Sequence, residues 1–215
     1  MEYVFPPRPK DAVPPGDLPQ YESTHNWVVQ RKFKGTRTVV RVTSSGEVLF
    51  FNRHKGEHKQ WQPTRRIIAQ ILDLDLLPGV EYWLDGELLH NKVSKATDPH
   101  LKNRIVLFDV LMMAGTYLFG VPDQMGRLAI LDKICHYPTE NESHHGIALQ
   151  VSENLWMAET FADNFTQHFR ELLHLPEIEG VVLRRRDSVL DSLGTKEYEC
   201  SWLVRCRKSE GHYQF

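Results

Sequence analysis

The chain has 215 residues, 41% of them hydrophobic and 25% charged, with a net charge of −2. That length buries a full core without staples, and the near-neutral balance requires any nucleic-acid contact to come from a local basic patch. Three cysteines (Cys135, Cys200, Cys206) without metal spacing, no apolar run of membrane length and no signal-peptide core point to an intracellular protein, cytoplasmic or nuclear.

Residues 1–20 carry six prolines and are expected to form an extended N-terminal arm rather than a packed element, ahead of one domain over 21–215. Short β-rich runs predict strands over 27–31, 38–43 and 47–52, the last two joined by Ser44-Ser-Gly46, a hairpin signal. A helix is predicted over 62–74, with Pro63 in its first turn and Ile67, Ile68, Ile71 and Leu72 on one face. Strands follow over 82–89 and 104–112, the second a nearly continuous apolar run suited to burial on both faces. Next come an amphipathic helix over 123–134, an exposed loop over 141–145 and a strand over 148–151. A third helix over 159–173 lines up Phe161, Phe165 and Phe169, and strands over 180–185 and 202–207 close the pattern. Strands outnumber helices without strict alternation, so the class is α+β, with antiparallel sheets flanked by helices.

Several residues in this frame carry chemistry. A lysine amine attacks phosphorus only when unprotonated, and neighbouring positive charge favours that form. Lys32 lies among Arg31, Lys34 and Arg37, beside Gly35, which lets the backbone pass close to a phosphate or sugar. Asp85-Gly-Glu87 places two acids on one face of a strand, Phe108 offers a ring, and Glu179 opens a buried strand that ends in Arg184. Oxygen ligands of this kind suit Mg²⁺ held together with substrate phosphates. Taken alone, the Lys32 segment also fits a hairpin with a basic edge, and Asp85-Gly fits a common turn.

In order and spacing, the set resembles the covalent nucleotidyltransferase superfamily of ATP-dependent DNA ligases, RNA ligases and capping enzymes. Lys32-Phe-Lys-Gly35 is similar to its Lys-x-Asp-Gly motif, with Lys34 in place of the acid. Phe51-Asn-Arg53, Asp85-Gly-Glu87, Leu107-Phe-Asp109 and Glu179-Gly-Val-Val-Leu-Arg184 resemble the segments that follow. The resemblance implies that Lys32 becomes adenylylated by ATP and that Gln30 meets the adenine amino group. It implies Arg37 and Arg53 on ribose or phosphates, Phe108 stacked on the base, and Glu87 and Glu179 as ligands for Mg²⁺ or Mn²⁺. Arg184 stands where ligases carry a lysine facing the nucleotide. Arg205 and Arg207 stand for the paired lysines of the last motif, one residue later than usual from Trp202. Lys34, Arg185, Arg186 and Lys208 are the expected nucleic-acid contacts.

Seven residues follow Lys208, too few for the OB domain that usually closes such sites. The expectation is therefore a nucleotidyltransferase core of two antiparallel sheets without an OB domain, acting as a monomer or with a protein partner that supplies closure. The implied activity is an ATP-dependent ligase sealing 5′-phosphate/3′-hydroxyl nicks, in DNA before RNA. An RNA ligase, a GTP-using capping-type guanylyltransferase and a catalytically degenerate nucleic-acid-binding module are the alternatives.

Overall fold

Alternation of apolar residues over 27–33 and 199–207 gives one sheet a helix-covered face and a polar face, whereas residues 82–89 and 104–113 of the other sheet are buried almost throughout. The computed structural model describes residues 3–89, 103–136, 147–171 and 173–208. One sheet joins β1 (Arg8–Ala12), β12 (Glu199–Arg207), β11 (Ile178–Arg185), β2 (Trp27–Phe33) and β10 (Thr160–Phe161), in that order. The other runs β4 (Val48–Asn52), β3 (Thr36–Val42), β5 (Tyr82–Leu89), β6 (Arg104–Met113), β9 (Leu155–Met157) and β8 (Leu149–Gln150), with β7 (Thr116–Tyr117) paired to β6.

Helices α1 (Leu18–Ser23) and α4 (Phe165–Glu171) cover the first sheet. Leu18, Phe165 and Phe169 pack there on Val29, Val181, Leu183 and Val204. Helices α2 (Arg65–Leu72) and α3 (Gln124–Cys135) contribute Ile67, Ile71, Leu131 and Ile134 to the core of the second sheet. The uncovered faces of the two sheets meet across a cleft. No helix among the described residues is long and apolar enough to cross a membrane, and those residues contain no OB barrel.

The α+β class stands, with two sheets flanked by helices. The sheets are not wholly antiparallel: β1 runs parallel to β12, and β6 parallel to β9. The first of these pairings corrects the expectation of an unpacked arm. Residues 8–12 form an edge strand, Tyr3 and Val4 enter the core, and the Tyr3 hydroxyl donates to the Asn52 carbonyl. Prolines suit that edge because an edge strand can spare backbone donors.

The first long helix starts later than expected. Thr64 caps it by accepting from Ile67 N–H, which leaves Pro63 outside. The third helix begins at Phe165 instead of 159, because Thr160 and Phe161 pair with Gln30 and Val29, and Asn164 turns left-handed (φ 55°) just before it. The expected loop over 141–145 lies outside the described residues.

Gly35 and Gly180 make the tightest of the close approaches to backbone that only glycine allows. A Cβ on Gly35 would stand 2.4 Å from the Leu88 carbonyl oxygen, so this glycine serves the seam between β5 and the β2–β3 turn. Gly180 has φ +139°, and a Cβ there would stand 2.1 Å from the Cys206 carbonyl oxygen in β12. Gly180→Ala is expected to cost about 2–3 kcal/mol by forcing β11 from β12. Urea denaturation measures this, and a loss within error would show that the sheet absorbs the methyl group.

Candidate active site

The strand alternation aims Gln30 and Lys32 of β2, Val182 and Arg184 of β11, and Arg205 and Arg207 of β12 into the cleft. Arg37 of β3, Glu87 of β5 and Phe108 of β6 face them from the other sheet. The result is one cavity of about 560 Å³. Lysines and arginines outnumber carboxylates among its lining residues by eight to three, although the whole chain is slightly acidic. Such a concentration of cations between low-dielectric walls selects polyanions.

At its centre Lys32 Nζ lies 2.6 Å from Glu179 Oε2, and Arg207 Nε approaches the same oxygen at 3.4 Å. Antiparallel register sets this meeting, because Gly180 pairs with Lys32 across β11 and β2. Glu87 Oε1 accepts from Gly35 N–H at 2.9 Å. Burial pushes the Glu87 carboxyl up to about 7, although Lys32, Arg37 and the Gly35 N–H pull it down.

Arg37 donates from Nε to Asp85 Oδ1 at 2.7 Å, closes a second bond onto Asp85 Oδ2, and reaches the Pro7 carbonyl at 3.2 Å. A bidentate anchor of this kind fixes the guanidinium plane. The Arg37 and Arg184 guanidinium carbons lie 5.1 and 5.2 Å from the centroid of the Phe108 ring.

Behind the ring lies a buried polar network. Asp109 accepts from Arg127 Nε at 3.0 Å and Arg184 Nη1 at 3.1 Å, and the Gln124 carbonyl oxygen accepts from both arginines. Burial opposes ionisation of Asp109, but the two guanidinium groups hold it below the usual carboxylate range. Arg184 Nε also donates to Gln30 Oε1 at 2.7 Å, while Gln30 Nε2 donates to Thr160 Oγ1 at 2.9 Å. The Gln30 amide is thereby fixed with its oxygen toward Arg184. Arg184 acts as a strut between Asp109 and Gln30.

Solved structures share this architecture at low sequence identity. Mycobacterial DNA ligase D complexed with ATP and MES superposes with a TM-score of 0.63 at 18% identity, over 96% of this chain and 62% of that one. The fold is that of a ligase-type nucleotidyltransferase. The ligase domain of M. tuberculosis LigD gives 0.58 at 17% identity, over 94% and 59% of the two chains. The ATP-dependent DNA ligase of bacteriophage T7, complexed with ATP, gives 0.53 at 11% identity, over 92% and 67%. The chain thus spans about three fifths of the length of the first two. No protein-family model and no curated protein matches the sequence.

Within this nucleotidyltransferase fold, Gln30, Lys32, Arg37, Arg53, Glu87, Phe108, Glu179, Arg184, Arg205 and Arg207 all line the one cavity. The expected nucleic-acid contacts do not gather there. Arg185 pairs in register with Trp27, five residues along β2 from Lys32, or roughly 16 Å at about 3.3 Å per strand residue. Arg185 is tied to Asp187, Arg186 N–H donates to the Asn26 carbonyl, and neither residue lines the cavity. Lys208 Nζ donates to the Leu173 and Leu175 carbonyls and clasps the loop before β11. Lys34 sits in the β2–β3 turn, its N–H on the Glu177 carbonyl.

Sequence reasoning missed the cavity residues Arg8, His54 and Glu197, and the supports Thr160, Arg127 and Gln124. Asp85, expected on one face with Glu87, anchors Arg37 instead of lining the cavity. Arg8 lay hidden in a proline-rich stretch.

Proposed function

We propose that Lys32 attacks the α-phosphorus of ATP, as the first step of an ATP-dependent polynucleotide ligase. Nζ gives up its protons to solvent as it forms a bond to phosphorus, the bond to the bridging oxygen of pyrophosphate breaks, and AMP stays on the chain. AMP then passes to a 5′-phosphate end, and a 3′-hydroxyl displaces it to close the strand. The observation that carries this reading is Lys32 Nζ held 2.6 Å from Glu179 inside a cavity with a large excess of cations. A polyanion neutralises that excess, and an amine at its centre is the available nucleophile.

The chain's own groups divide the work. Phe108 offers its ring to the purine, and the fixed Gln30 amide presents an edge to the base. Arg37, held rigid by Asp85, and the side chains of Arg205 and Arg207 orient phosphates. Glu179 holds Lys32 in place before substrate enters. Glu87 and Glu179 approach from opposite sheets, and two carboxylates with substrate phosphates form a donor set that fits Mg²⁺ or Mn²⁺. The described residues hold no group of three or more His, Cys, Asp or Glu that could hold a metal ion. When bound, such an ion neutralises charge on the phosphoryl oxygens.

DNA is favoured over RNA because the mycobacterial and bacteriophage T7 structures that this chain resembles are DNA ligases. The test is intact-mass analysis after incubation with ATP or GTP and Mg²⁺. A gain of one AMP, absent in Lys32→Ala, is expected. A GMP adduct would mean a capping-type enzyme, and no adduct with either nucleotide would leave a binding module. Chasing the adduct with nicked duplexes bearing deoxy or ribo 3′ ends then sorts the strand preference.

A further inference from the structure

At the mouth of the cavity a single carboxylate sits between donors from distant parts of the chain. Glu197 Oε2 accepts from Arg8 Nη1 at 2.7 Å, and Glu197 Oε1 lies 2.7 Å from His54 Nδ1. An arginine only donates, so the 2.9 Å contact from Arg53 Nε to His54 Nε2 makes that nitrogen the acceptor. His54 is therefore the Nδ1–H tautomer and donates to Glu197. Strand β1, the turn after β4 and the segment before β12 thus converge on one anionic group. Among the described residues Arg53 makes no other hydrogen bond, so its two terminal nitrogens are uncommitted.

This arrangement is easily displaced. The Arg8 and Glu197 side chains are 36% and 39% exposed, and His54 is 56% exposed. Ion pairs so well solvated contribute little. A phosphate group carries more charge than a carboxylate and offers three strong acceptor oxygens to the same donors.

We propose that Glu197 is a built-in anion seated in a phosphate subsite formed by Arg8, Arg53 and His54, and that an entering terminal phosphate displaces it. The inference rests on the nucleotidyltransferase reading for one of its two sources, the pyrophosphoryl end of ATP. The other source, the 5′-phosphate of a nucleic-acid end, has the same chemistry. In either case Glu197 lowers affinity for anions while the subsite is empty.

Calorimetry on the wild-type chain and Glu197→Gln tests this with α,β-methylene ATP, inorganic pyrophosphate, a nicked duplex with a 5′-phosphate, the same duplex with a 5′-hydroxyl, and AMP. Probes that reach the subsite are expected to bind roughly fivefold more tightly to Glu197→Gln, the scale of one exposed charge pair. Adding Arg8→Gln should reverse the gain, and AMP, which lacks the β- and γ-phosphates and whose single phosphate is the one placed at Lys32, should be unchanged. Tightening of the ATP analogue and pyrophosphate assigns the subsite to the nucleotide. Tightening of the 5′-phosphate duplex alone, without its 5′-hydroxyl counterpart, assigns it to the nucleic-acid end. Unchanged or weaker binding of every probe, or an equal gain for AMP, overturns the proposal. If pyrophosphate binds more tightly to Glu197→Gln yet Lys32 forms no adduct, the nucleotidyltransferase reading fails and the subsite stands.

Discussion

Replacing Asp109 by alanine is expected to destabilise the fold by about 3–5 kcal/mol, the cost of leaving buried charge uncompensated. Arg127 is fully buried and Arg184 is 4% exposed, and Asp109 is the carboxylate to which both donate. Without it their remaining hydrogen bonds run to the neutral oxygens of Gln124, Gln30, Pro122 and Ser188, and two positive charges stay in the core. The pH dependence has a definite sign. The folded pKa of Asp109 lies below its unfolded value, so its contribution is full above the unfolded pKa and is lost as pH falls through the folded one. Urea denaturation of the wild type and Asp109→Ala at neutral pH measures the effect. A loss below about 1 kcal/mol would mean that water or a rotamer change relieves the arginines.

Glu87→Gln is expected to separate stability from activity. Its folded carboxyl titrates near 7 against an ordinary 4.5, and the cause is burial. The unfolded chain therefore gives up this proton at lower pH than the folded one. Wild-type stability should fall as pH rises from 4.5 to 7, by up to about 3 kcal/mol, and then level off. Glutamine keeps an oxygen for the Gly35 N–H and carries no charge, so the variant should lack this decline. It should be the more stable protein at pH 8 and equal to wild type at pH 4. Adenylylation by the variant should fall by at least about 100-fold, the scale of losing one preorganised electrostatic group. Thermal melts across pH and single-turnover adduct formation provide the two readings. Parallel stability curves for the two proteins would show that Glu87 ionises without penalty, and an unimpaired variant would remove Glu87 from the site.

A stable, inactive Glu87→Gln would fit a general pattern in which functional acids are kept where folding alone would remove them. The same pattern is expected of Arg37 and Asp85. Their bidentate pair lies against the Phe108 ring, where an apolar pair would pack at lower desolvation cost.

The amino-acid sequence determined the faces of the strands by itself. Period-two alternation placed Gln30 and Lys32 opposite Val29, and Arg205 and Arg207 opposite Val204 and Cys206. Alternation alone did not mark them as a site; the main cavity residues were legible because their motifs, in order, resemble those of nucleotidyltransferases. Local chemistry also marked the helix starts, although capping by Thr64 and the left-handed Asn164 moved two of them. Tertiary structure alone decided which strands became neighbours. Alternation says which way a side chain points but not what it meets, and pairings between distant segments leave no local mark. Arg8 therefore reached Glu197 only through the parallel β1–β12 pairing, and Thr160 reached Gln30 only because residues 160–161 left the helical pattern for a sheet edge.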